Sequence, residues 1–89
     1  MSDQRLGEFE EIILLLVGIL AEEAYAFRIG DEYATQTGKI SSIGAIHATL
    51  SRLEQKGYLK SLQSDPTPVR GGRRKRIYRI TALGQRVLD

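Results

Sequence analysis

Apolar residues recur at three- and four-residue steps through the first half of the chain, and at alternate positions near its end. From Leu6 to Glu23, the positions Phe9, Ile12, Ile13, Leu16, Val17, Ile19 and Leu20 follow helical spacing, with polar residues gathered before and after them. Leu14, Leu15 and Gly18 widen this surface beyond one stripe, so the helix is buried on more than one side. The second side is either a contact with another copy of the chain or a wrapping by the same domain. A second helix is predicted over Tyr25–Gln36, with Phe27, Ile29 and Tyr33 facing inward together with Ala26 and Ala34. Arg28, Asp31 and Glu32 then face water, and Thr37-Gly38 stops the helix because glycine adopts the left-handed conformation that follows helix ends.

The third helix has the narrowest stripe: Ile43, Ile46, Leu50 and Leu53. Ser41 or Ser42 can cap its start by accepting from an orphan amide, while Lys56 and Gly57 mark its end. After Gly57 the period changes. Tyr58, Leu59 and Leu62 open an extended segment, and Lys75–Thr81 sets Ile77 and Arg79 against Arg76, Tyr78 and Ile80. The two prolines and two glycines between Ser64 and Gly72 make a hairpin loop. Thr81 caps a last helix with Leu83, Val87 and Leu88. The order helix, helix, helix, strand, loop, strand, helix is mainly α with a small β-hairpin. It predicts a winged helix-turn-helix: a three-helix core, a two-stranded wing and a short C-terminal helix.

Eighty-nine residues suffice for one domain, residues 1–89, and leave no room for a second. So small a core makes association with a second copy a natural source of stability. The sequence has no cysteine and one histidine, which excludes disulfides and argues against a structural zinc site, so no metal or cofactor is expected. The apolar run Ile12–Leu20 is too short to cross a bilayer, which takes roughly 20 residues, and acids rather than cations precede it. The chain therefore reads as soluble, unprocessed and cytoplasmic, without a membrane partner.

Charge sharpens the picture. Residues 1–36 carry eight acids against two cations, a net −6, whereas residues 37–89 carry eleven Lys or Arg against three acids, a net +8. One half is suited to a polyanion. Within it, Arg70, Arg73, Arg74, Lys75, Arg76 and Arg79 fall within ten residues, beside glycines that let the backbone approach a phosphate. Cations that meet phosphates release condensed counterions; roughly 4 such contacts per protomer imply a log–log salt slope on the order of −3 to −4. With the apolar stripe inward, Ser42, Gly44, Ala45, Ala48, Thr49 and Arg52 face outward from the third helix. These small residues allow close approach to a major groove, where Ser42 and Thr49 can bond base edges and Ala45 or Ala48 can touch a thymine methyl. Arg52 and Lys39 flank the face and suit phosphates. His47, at the edge of the stripe, is either a phosphate contact, a pH-sensitive one, or a boundary residue with a polar partner. Nothing pairs it with a nucleophile, and no Gly-rich phosphate loop is present, so an enzyme is not expected.

The run Gly44-Ala45-Ile46-His47-Ala48-Thr49-Leu50-Ser51-Arg52-Leu53-Glu54-Gln55-Lys56-Gly57-Tyr58-Leu59 resembles the signature of the PadR family of bacterial regulators. Tyr25–Ile29 and the stretch Gly72–Gly84 are similar to that family's second helix and wing. The resemblance implies a dimeric repressor whose third helix enters the major groove and whose wing, with Tyr78, contacts the backbone. His47 stands where the family usually has tyrosine. The family normally continues into a long C-terminal helix that builds the dimer, whereas this chain stops at Asp89. It is either a short member that dimerises through its first helix and a stub, or a truncated chain.

These readings converge on a sequence-specific DNA-binding transcriptional regulator. The expected partners are double-stranded DNA, a second copy through Leu14, Leu15, Gly18, Leu83 and Val87, and a small-molecule effector for which no dedicated residues stand out. The competing reading is a winged-helix protein-interaction module whose first helix docks a partner and whose wing is only solvated.

Overall fold

A computed structural model describes residues 6–63 and 76–89. Helices α1 (Glu8–Leu20), α2 (Ala26–Thr37) and α3 (Ile43–Gln55) precede the strands β1 (Leu59–Gln63) and β2 (Arg76–Ile80), and α4 (Ala82–Leu88) closes the order. The fold is the one expected, a helical core with an antiparallel hairpin that pairs Leu59 with Ile80 through to Gln63 with Arg76.

Helix α1 starts with three acids in its first turn, where the helix dipole favours negative charge. Glu10 also reaches back to accept from the Gly7 N–H at 3.1 Å, satisfying one orphan donor. The helix lies at the centre and touches α2, α3, α4 and β2. Its Ile13, Leu14, Leu16 and Val17 join Ile29, Ile46, Leu50, Leu53, Tyr58 and Leu59 in one core. Leu14, expected at a dimer contact, is completely buried within the chain itself. Its neighbours within the domain therefore account for Leu14. Leu15, Gly18 and Ile19 do face outward.

Helix α2 buries Ala26, Ile29 and Tyr33, one narrow stripe. Phe27 lies off that stripe and is 72% exposed, contrary to its inward assignment. The Tyr33 ring instead packs edge-on against Phe9 of α1, with centroids 5.2 Å apart. Arg28, expected in water, is half-buried and paired with Glu32 at 2.9 Å and Glu23 at 3.6 Å.

Between α1 and α2 a short 3-10 turn (Ala21–Glu23) reverses the chain, and Ala21 adopts φ 52° and ψ −113°. That conformation belongs to the first central position of a type II′ turn, where a Cβ is strained and glycine is favoured. Ala21→Gly is expected to stabilise the domain by about 1 kcal/mol, the relief of strain less the added chain entropy. An unchanged or lower urea midpoint would show that Ala21 carries no strain. Past the turn, the Ala24 carbonyl accepts from the Tyr78 N–H at 2.9 Å, so the turn adds a third edge to the hairpin.

The hairpin is fixed to the core at its base. Helix α3 ends in a Schellman motif: Gly57 (φ 84°) donates to Glu54 O and Tyr58 N–H to Leu53 O, both at 3.0 Å. Thr81 donates its hydroxyl to Gly57 O at 2.6 Å and its N–H to Tyr58 O at 3.0 Å. The same hydroxyl oxygen accepts from the Gly84 N–H at 3.0 Å and so caps α4.

Candidate nucleic-acid interface

The turn between α2 and α3 is set by side chains close in sequence. Gly38 (φ 73°) donates to Ala34 O at 2.9 Å. Thr37 donates to Tyr33 O and accepts from the Lys39 N–H. Ser42 is the cap of α3; its Oγ accepts from the Ala45 N–H at 3.1 Å. With this oxygen engaged, Ser42 keeps its hydroxyl proton as a donor towards an external acceptor. Lys39, Ser42, Gly44, Ala45, His47, Ala48 and Arg52 are all exposed.

Thr49 does not belong with them. It is 1% exposed and completes the buried stripe with Ile46, Leu50 and Leu53. Its hydroxyl oxygen accepts from Arg52 Nη2 at 3.3 Å, so it supports a cation instead of reading a base. Ile43, assigned inward, is 39% exposed and lines an open groove with Phe27 and Ile40.

Arg52 is held on a second side as well. Its Nε lies 3.2 Å from Glu10 Oε2, and Lys56 Nζ lies 3.4 Å from both Glu10 oxygens. One acid of α1 thus anchors two cations of α3. Burial pushes the Glu10 carboxyl up, but the Gly7 N–H and the hydrogen bonds from Arg52 and Lys56 together outweigh it and hold it below the ordinary carboxylate range. A carboxyl whose folded value is depressed stabilises the fold above its unfolded value and loses that contribution as pH falls through the folded one. Stability is therefore expected to decline below about pH 5 in the wild type, and less steeply in Glu10→Gln. Urea midpoints measured from pH 6 down would show parallel curves if Glu10 were not involved.

Sequence reasoning missed Glu54, the single acid between residues 37 and 64. Its Oε2 accepts from the Ser61 hydroxyl at 2.6 Å and from the Ser61 N–H at 3.2 Å, which ties β1 to the last turn of α3. That isolation in a basic stretch was the available signal. The wing base is thereby fixed relative to the helix face.

Of the predicted wing residues, Arg70, Arg73, Arg74 and Lys75 lie outside the described residues. Arg76 and Arg79 are both exposed, Arg76 at the far end of the face of β2 that carries Tyr78 and Arg79 on the other face. Tyr78 is not exposed with them. It is 4% exposed and forms part of the core, so the contact with DNA expected of it is corrected to a packing role. Burial also pushes its phenol up, with Arg76 opposing and Glu54 adding to the shift.

Leu15, Gly18 and Leu83 are exposed and Val87 is half-buried. Among the described residues, no three acids or histidines converge as a metal site, and no helix is long and apolar enough to cross a membrane.

The sequence matches the family described as Transcriptional regulator PadR-like family over residues 14–89. No match was found among the curated proteins. Among solved structures, a PadR family transcription regulator from Clostridium difficile R20291 is 31% identical, covering 86% of this chain and 78% of that one, with a TM-score of 0.63. A transcriptional regulator from Clostridium thermocellum is 27% identical over 89% of this chain and 73% of its own, with a TM-score of 0.74. Bacillus subtilis PadR, solved in complex with operator DNA, shares the fold with a TM-score of 0.74 at 16% identity, covering 94% of this chain and 46% of that one.

Proposed function

Since this chain belongs to the PadR-like family of transcriptional regulators, we propose that it binds DNA by sequence as a homodimeric repressor in the cytoplasm. The observation that carries the reading is the face of α3: a helix capped by Ser42 presents Gly44, Ala45, His47 and Ala48 to solvent, between Lys39 and the base of a basic hairpin. Side chains this small let a helix sit deep in a major groove, and a neighbour of the same fold is solved on its operator. Ala45 and Ala48 offer methyl groups to bases, Ser42 a hydroxyl donor, and Lys39, His47, Arg52 and Arg76 meet the backbone. Arg70, Arg73, Arg74 and Lys75 extend the phosphate contacts through the wing. Leu15, Gly18, Leu83 and Val87 form the dimer contact, and the exposure of Leu15, Gly18 and Leu83 in the isolated chain supports it. An open cleft of about 300 Å3 beside them, walled by Val17, Gly18, Tyr78 and Ile80, offers a place for a small-molecule effector.

Selection of bound duplexes from a random pool tests this reading. The expected product is a palindrome with half-sites about 10 base pairs apart, one helical turn. A chain that retains no duplex at low salt is the protein-interaction module instead.

A further inference from the structure

The turn that leads into α3 exposes more apolar surface than its packing requires. Ile40 is 93% exposed, and Ile43 and Phe27 stand beside it along an open groove of about 360 Å3. An isoleucine so exposed contributes nothing to the core, and its side chain stays in water until something covers it. Ile40 and Ile43 are exposed at the N-terminal end of α3, on either side of its cap Ser42, and in the proposed docking that end of the helix meets base edges. Gly44 has nothing within 4 Å of where a Cβ would stand, so the surface beside Ile43 is open. Asp31 lines the α2 wall of the same groove and repels phosphate there. The contact left to the two isoleucines is with base edges.

The apolar feature of base edges in the major groove is the thymine 5-methyl group. We propose that Ile40 and Ile43 are specificity-determining residues that recognise thymine methyls at the entry of α3 into the groove. This rests on the DNA-binding reading and extends it, because it adds two residues outside the small-residue face and names the base they select.

The experiment uses the full chain and the duplex selected from the random pool, with each thymine replaced in turn by deoxyuridine, which lacks only the methyl. At one or two thymines per half-site the wild type is expected to bind the substituted duplex about three- to fivefold more weakly, the worth of burying one methyl. Ile40→Ala combined with Ile43→Ala is expected to bind the thymine and uracil duplexes equally, at an unchanged melting temperature for the Ile40→Ala component. A selected duplex that tolerates uracil at every position overturns the inference alone, as does a double variant that keeps the wild-type ratio. Failure to select any duplex overturns the DNA reading, and the inference falls with it.

Discussion

Gly84→Ala is expected to destabilise the domain by about 2–3 kcal/mol and to lower its melting temperature by roughly 10–20 °C. A Cβ at this position would meet the Tyr58 carbonyl oxygen far inside van der Waals contact, with Ile80 Cγ1 at 2.9 Å and the Tyr58 carbonyl carbon at 3.1 Å. Two of those three atoms are backbone, so no rotamer change makes room. The methyl has to push α4 away from the Tyr58 strand entry. That movement stretches the Gly84 N–H to Thr81 bond and the Thr81 bonds to Gly57 and Tyr58, each now 2.6–3.0 Å. Gly30→Ala is the control. It lies inside α2 with nothing within 4 Å of the added Cβ, so it should gain about 0.5–1 kcal/mol from helix propensity. Thermal and urea unfolding of the two variants side by side separates contact from composition. Equal midpoints for both would mean that α4 does not pack on Tyr58 as described.

The node of Gly57, Tyr58, Thr81 and Gly84 also shows which parts of the fold were legible. Ser42, Thr81, Gly38 and Gly57 act through bonds to residues a few positions away, and such caps and stops can be read from the sequence itself. Gly84 acts through a neighbour 26 positions back, so only its place in the resemblance marked it. Thr49 was misplaced because polarity was taken to mean exposure, although its spacing from Ile46 and Leu53 puts it on the buried stripe. Its hydroxyl is satisfied there by Arg52, which makes burial affordable. For β2, alternation correctly grouped Tyr78 with Ile80, but a period of two does not say which group faces inward. Packing of β2 against α1, more than 50 residues earlier, decides it. Leu14 and Phe27 failed for opposite reasons. Helix α1 is covered on several sides by its own domain, whereas α2 is covered on one.

With Arg52 and Lys56 held by Glu10, the proposed phosphate contacts fall mainly to the wing. Replacing Arg73, Arg74 and Arg76 together by alanine is therefore expected to have the largest effect on binding. Each lost phosphate contact removes about 0.9 from the slope of log affinity against log salt, so three flatten it by about 2.7 per protomer. At 0.1 M salt the same loss corresponds to a weakening of several-hundred-fold. Because phosphates carry no base identity, the variant should rank duplexes as the wild type does, weaker on every one by a similar factor. Substituting Ser42 or Ala45 should do the reverse, changing the ranking while keeping the slope. Fluorescence anisotropy on two or three duplexes between 50 and 200 mM salt distinguishes these outcomes. A slope that survives the triple substitution would place the phosphate contacts on Lys39, Arg52 and Lys56 of the helix face. Arg52 and Lys56 would then have to leave Glu10 on binding, and Glu10→Gln would tighten DNA binding.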